Sequence, residues 1–151
     1  MSIVIKTSID INAPAKDVWA VLTDFPTYGQ WSNFSKVDGV AKLGTKLAMK
    51  MPGMSFGSTV TAATPEQKLE WAATILSKSI FEGRHTFALT ANPDGSTHLD
   101  NTETFSGGLV WPFGGLFKQG EGRRDNGYDG FNQALKQRVE SGISTDGRRH
   151  P

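Results

Sequence analysis

At 151 residues and 37% hydrophobic content, the chain is long enough for one domain whose core could enclose an internal cavity. Sixteen basic residues against fifteen acidic ones give a formal charge of +1, which excludes the basic footprint of a nucleic-acid-binding protein. With no cysteine there is neither a disulfide framework nor a thiolate metal site, and a reducing compartment is the expectation.

The N-terminus carries no long apolar run, so neither a signal peptide nor a membrane span is expected, and the predicted location is cytoplasmic. Ile3-Val4-Ile5-Lys6-Thr7-Ser8-Ile9-Asp10-Ile11 is β-branched and roughly alternating, which predicts a strand. Pro14 then fits the start of a short helix through Val18, Trp19, Val21 and Leu22. After the Phe25-Pro26 break, Tyr28 to Trp31 predicts a second helical turn. Evenly spaced turn signals follow at Asp38-Gly39, Leu43-Gly44, Pro52-Gly53, Pro65-Glu66 and Asp94-Gly95. They delimit antiparallel strands near residues 37–40, 46–51, 56–63, 68–76, 80–90 and 97–105. A long helix is predicted from about 112–115 to 140, with Phe117, Tyr128, Phe131, Leu135 and Val139 on one stripe facing the sheet. Gly120, Gly122, Gly127 and Gly130 weaken its first half by roughly 1 kcal/mol each relative to alanine. Residues 1–140 are therefore expected to form one domain, with an unstructured tail over 141–151.

Ile9-Asp10-Ile11-Asn12-Ala13-Pro14-Ala15-Lys16-Asp17-Val18-Trp19, followed by Leu22-Thr23-Asp24-Phe25, Tyr28 and Trp31, resembles the opening of the START-related lipid-transfer and polyketide cyclase superfamily. Glu103-Thr104-Phe105-Ser106-Gly107 and Gly130-Phe131-Asn132-Gln133-Ala134-Leu135-Lys136 are similar to its last strand and final helix. The resemblance covers about residues 3 to 140. It implies an α+β helix-grip fold, in which a curved antiparallel sheet of six or seven strands wraps a long C-terminal helix around an apolar cavity. Its members include lipid carriers, ligand-binding plant allergens, chaperone activators and cyclases or dehydratases, so fold alone does not give function.

Chemistry has to be read from the strand faces. Phe81, Gly83, His85, Phe87 and Leu89 share one face of a strand, and Leu99, Asn101, Glu103 and Phe105 share the corresponding face of the next. Pairing about the Asp94-Gly95 turn places His85 opposite a residue near Glu103. Such a pair, with Asn101, could move a proton near neutral pH. Equally, the three could satisfy one another inside a core that needs polar partners. The candidate catalytic residues are thus His85, Glu103 and Asn101, and the candidate ligand-binding residues are Trp31, Met49, Met51, Phe56, Trp71, Phe87, Phe105, Phe117 and Tyr128. Trp111-Pro112-Phe113 reads as a linker, and Arg123-Arg124-Asp125 as a solvated charged face.

His85, His98 and His150 lack metal-ligand spacing, and no nucleotide or nucleophile-elbow motif is present, so no metal and no cofactor are expected. The expected partner is a hydrophobic small molecule, with no nucleic acid, no stable membrane insertion, and a monomer or homodimer. The leading reading is a cofactor-independent cyclase or dehydratase acting on a polyketide-like substrate. The alternative is a non-catalytic lipid or hydrophobic-ligand carrier.

Overall fold

The computed structural model describes residues 2–75, 77–108, 110 and 127–149. Its strands are β1 (Ser2–Ile11), β2 (Lys36–Asp38), β3 (Lys46–Met51), β4 (Met54–Thr64), β5 (Lys68–Ile75), β6 (Phe81–Ala91) and β7 (Thr97–Ser106). They form one antiparallel sheet in the order β1-β7-β6-β5-β4-β3-β2. Between β1 and β2 lie α1 (Ala15–Leu22), a 3-10 turn (Phe25–Thr27) and α2 (Tyr28–Trp31), and α3 (Tyr128–Arg149) is the last described element. This is the helix-grip architecture expected from the sequence, with every predicted strand present.

The tail differs from expectation, because α3 continues to Arg149 rather than stopping at 140. Once its packed turns are in place, each further residue adds a hydrogen bond without a new nucleation cost. The first half of the predicted helix, with Phe117, Arg123-Arg124-Asp125 and the Trp111-Pro112-Phe113 linker, lies outside the described residues.

Period-two alternation puts one face of the sheet into the core. Ile3, Ile5 and Ile11 of β1 are buried, as are Leu69 and Trp71 of β5, Phe87 and Leu89 of β6, and Leu99 and Asn101 of β7. Phe131, Leu135 and Val139 of α3, spaced by four, close over this face together with Val18 and Leu22 of α1. Burying each such side chain contributes about 1.5–3 kcal/mol. Tyr28 is fully buried and donates its hydroxyl hydrogen bond to the Leu22 carbonyl, which fixes the helical connection against the sheet. The helix is tied to the end of β1 by Lys136 Nζ on the Asp10 carbonyl at 2.9 Å and by the Asn12 amide on Glu140 Oε2 at 3.2 Å.

The opposite face is polar but not wholly exposed. Glu70 and Glu82 are buried, and Arg84 bridges them at 2.6 and 2.7 Å. Gly95, at φ 89, makes the tight β6–β7 turn whose register sets the site below.

Candidate active site

The β6–β7 ladder places His85 directly opposite Glu103, with Asn101 on the diagonal and Trp71 of β5 on the other side of the imidazole. The side chains of His85 and Glu103 are each 13% exposed, and Asn101 is fully buried. Glu103 therefore sits on the inner face, as the alternation predicts. Gly83 makes room for it: a Cβ there would come within 3.3 Å of Glu103 Oε1 and 3.6 Å of the Phe105 ring.

His85 is fixed on all sides. Its ring stacks on Phe87 at 4.4 Å between centroids, with Trp71 at 5.3 Å and Tyr128 edge-on at 5.7 Å. Nε2 lies 2.5 Å from Asn101 Oδ1, while Nδ1 faces Glu103 Oε2 at 3.2 Å. The latter distance suits an ion pair or hydrogen bond, but the groups are not aligned for one. Glu103 Oε2 is therefore a buried oxygen with no hydrogen-bond partner among the described residues.

Burial decides the charge states. It holds the His85 imidazolium form down to a pKa of about 4, a shift that the hydrogen bond to Asn101 only partly offsets. It pushes the Glu103 carboxyl up to about 8. Tyr128 is likewise held in its neutral form, first by burial and then by the nearby Glu103 charge. At neutral pH the pair is a carboxylic acid beside a neutral imidazole. Between the two titrations it holds one proton that either group could carry.

Two residues of the site were not singled out from the sequence. Asn132 of α3, buried at 1% exposure, accepts from Asn101 Nδ2 at 2.8 Å and donates to Thr7 Oγ1 at 2.9 Å. Thr7 interrupts the β1 row of Ile3, Ile5, Ile9 and Ile11, and Asn132 falls four residues after Tyr128 on the apolar side of the helix. A polar residue interrupting an apolar row is the signal that could have found them.

The candidate ligand-binding residues divide. Trp71 and Phe87 are buried next to His85, and Phe105 and Tyr128 are half-buried around Glu103. Trp31 packs between Tyr28 and Phe131, and its Nε1 is buried without a hydrogen-bond partner among the described residues. Met49, which is buried, and Phe56 belong instead to an open cleft of about 340 Å³ near the β2 edge, with Asp38, Leu47, Ala48, Lys50, Ser55 and Gly57. Met51 lies half-buried in the neighbouring β3–β4 hairpin. None of the residues lining this cleft belongs to the His85–Glu103 site. Among the described residues no group of three or more His, Asp or Glu could hold a metal ion, and no helix is long and apolar enough to cross a membrane.

The chain matches the family described as polyketide cyclase / dehydrase and lipid transport over residues 2–140, and it belongs to that family. Solved structures share the fold at low identity. A protein from Mesorhizobium loti is 22% identical, with a TM-score of 0.66 over 93% of this chain and 98% of its own. A START superfamily protein from Mycobacterium smegmatis is 17% identical, with a TM-score of 0.69 over 91% and 97%. Norcoclaurine synthase from Thalictrum flavum, in complex with dopamine and hydroxybenzaldehyde, is 14% identical, with a TM-score of 0.68 over 93% and 88%. No curated protein matches the chain.

Proposed function

We propose that the protein binds a hydrophobic small molecule between the sheet and α3 and acts on it as a cofactor-independent cyclase or dehydratase of polyketide-like substrates. The observation that carries this reading is the placement of Glu103: its buried Oε2 has no hydrogen-bond partner among the described residues and lies 3.2 Å from His85 Nδ1, and burial pushes the carboxyl up to about 8. A structural pair would be expected to satisfy itself, whereas an acid kept for a substrate keeps one oxygen unspent. In this reading Glu103 gives its proton to a substrate carbonyl oxygen. The resulting carboxylate, beside His85, takes a proton back from the carbon α to a carbonyl. The exchange returns Glu103 to its starting form and leaves the substrate enolised, ready for an aldol ring closure or loss of water. Tyr128, whose neutral form is favoured by burial and by the nearby Glu103 charge, would in this reading donate its hydroxyl hydrogen to the same substrate oxygen.

The test is product formation from a linear poly-β-ketone by the parent and by Glu103→Gln, which keeps shape and polarity but not the exchangeable proton. Turnover should fall roughly 10²-fold or more while ligand affinity stays within a few-fold, as for the loss of a positioned acid or base. Equal yields would remove Glu103 from the chemistry.

The second reading is a carrier of lipids or other apolar ligands. It is favoured by the aromatic wall of Trp71, Phe87 and Phe131 around the pair and by the lipid-transport branch of the family description. A bound lipid found by native mass spectrometry, with no product from any poly-β-ketone at saturating concentration, would decide for it.

A further inference from the structure

We propose that Asn132 and Thr7 are positioning residues: they set the direction of the hydrogen-bond chain through Asn101 and so hold His85 as the tautomer whose proton is on Nε2. The proposal rests on the reading of His85 and Glu103 as the proton-handling pair, and it explains how the fold keeps that pair in a usable form.

The chain has one polarity from end to end. The Thr7 hydroxyl, opposite Asn101 across the β1–β7 ladder, gives its hydrogen to the Asn101 carbonyl at 3.4 Å and accepts from Asn132 Nδ2 at 2.9 Å. Asn132, with its donors committed to Thr7, turns its oxygen to Asn101 Nδ2 at 2.8 Å. Asn101 then has only Oδ1 left for the imidazole, and an amide oxygen can only accept. His85 must supply a proton from Nε2 across the 2.5 Å contact. Its remaining lone pair is on Nδ1, facing Glu103 Oε2. A bare Nδ1 leaves the Glu103 carboxyl without a donor, so burial keeps it protonated, whereas a hydrogen on Nδ1 would favour the carboxylate.

The device joins three elements, because Thr7 comes from β1, Asn101 from β7 and Asn132 from α3. Docking of the last helix therefore fixes a proton position on the sheet. Around the pair, among the described residues, Tyr128 is the titratable group that faces it from α3. The cross-strand neighbours from β1 and β5 are Ile5 and Trp71, which do not titrate.

Removing the Asn132 amide should free Asn101 to rotate and present Nδ2 to the imidazole. His85 would then carry its proton on Nδ1 and donate it to Glu103, favouring the carboxylate. The experiment is long-range proton–nitrogen NMR of the full chain with 15N-labelled histidine, with His85 assigned by comparison with His85→Phe. The parent should show a protonated Nε2 and a bare Nδ1 between pH 5 and 7.5. Asn132→Leu should shift the dominant tautomer to Nδ1–H and lower the upper titration midpoint of the pair by about one unit, a tenfold change in dissociation. Thr7→Val, nearly isosteric, should move both in the same direction by less, and it keeps the test available if Asn132→Leu does not fold. A parent with its proton on Nδ1, or an unchanged tautomer in the folded variants, overturns the proposal. The tautomer is read without substrate, so a protein that forms no product but keeps Nε2–H would lose the enzymatic reading and not this one.

Discussion

The two faces of the central strands each bury carboxyl groups and treat them oppositely. On the outer face burial pushes Glu70 up, but hydrogen bonds from Thr86, Thr61 and Arg84, together with the guanidinium charge, outweigh it and hold the carboxylate below its usual range. Arg84 gains in return and is held more firmly protonated, chiefly by its hydrogen bond to Glu70. On the inner face, among the described residues, no cation pairs with Glu103 and its Oε2 has no aligned donor, so burial acts alone and pushes the carboxyl up to about 8. Solvent exposure alone does not separate them, since the side chain of Glu70 is 10% exposed and that of Glu103 is 13%. Partnering does. A carboxylate surrounded by donors is a structural member, whereas one left beside a neutral imidazole is a reagent or a liability.

That contrast is sharpest in the pH dependence of stability. The Glu103 pKa rises from 4.5 in the unfolded chain to about 8 in the fold, so between those values the folded state binds more protons. Stability contributed by this group is complete below pH 4.5 and is lost as pH rises towards 8. Glu103→Gln removes the penalty. Relative to the parent it should gain about 3–5 kcal/mol in unfolding free energy on going from pH 5 to pH 9, at 1.36 kcal/mol per unit. Urea titrations of both proteins at the two pH values measure this. An unchanged difference would mean that Glu103 is ionised and stably paired in the fold.

The outer face should behave in the opposite sense. Arg84→Met leaves Glu82 without its cation and Glu70 with only Lys68, at 3.8 Å, and should cost about 2–3 kcal/mol at pH 7, less than a fully buried pair because the Arg84 side chain is 35% exposed. The loss should shrink on acidification, since a depressed carboxyl contributes stability above its unfolded pKa and loses it as pH falls through the folded one. The His85 tautomer should not change. A loss that is constant from pH 4 to 8 would place the Arg84 contribution in packing of its alkyl stem instead.

Much of this was legible in the chain, for physical reasons that differ by element. The strands of the meander could be placed because Gly and Pro punctuate them, and Asp94-Gly95 sets a register in which His85 meets Glu103. The inner row of β7 could be assigned from alternation alone. Asn132 and Thr7 were not found, because a single Asn near a helical stripe or a single Thr in a strand is ordinary until the tertiary fold brings them together. Nor could the sequence place Trp71 and Phe87 beside His85 and Met49 at the separate cleft, since an apolar side chain carries no label for the neighbours it packs against. The buried Glu70–Arg84–Glu82 cluster was equally hidden, because alternation marks those residues only as outward.

The smallest effect expected concerns the other described histidine, and it completes the comparison. His98 lies on the outer face, with Nδ1 3.0 Å from Asp10 Oδ1 and Nε2 3.3 Å from Asp100 Oδ1. The hydrogen bond to Asp10 raises its pKa first; partial burial opposes the rise, and the Asp100 charge adds to it. A raised histidine stabilises the fold below its unfolded pKa and loses that stability as pH climbs through the folded value, the reverse of His85, whose lowered pKa destabilises the fold as pH falls from 6.5 towards 4. With a side chain 35% exposed, His98 is screened by solvent, so His98→Asn should cost only a few tenths of a kcal/mol at pH 5.5 and nothing measurable at pH 9. Thermal unfolding of parent and variant at both pH values, in low salt and with 0.5 M salt added, tests this. The pH 5.5 difference should fade as salt screens the carboxylates. A difference that persists at pH 9 would mean that His98 acts through packing rather than charge, and the two histidines would then no longer stand as opposite titrations on opposite faces of one sheet.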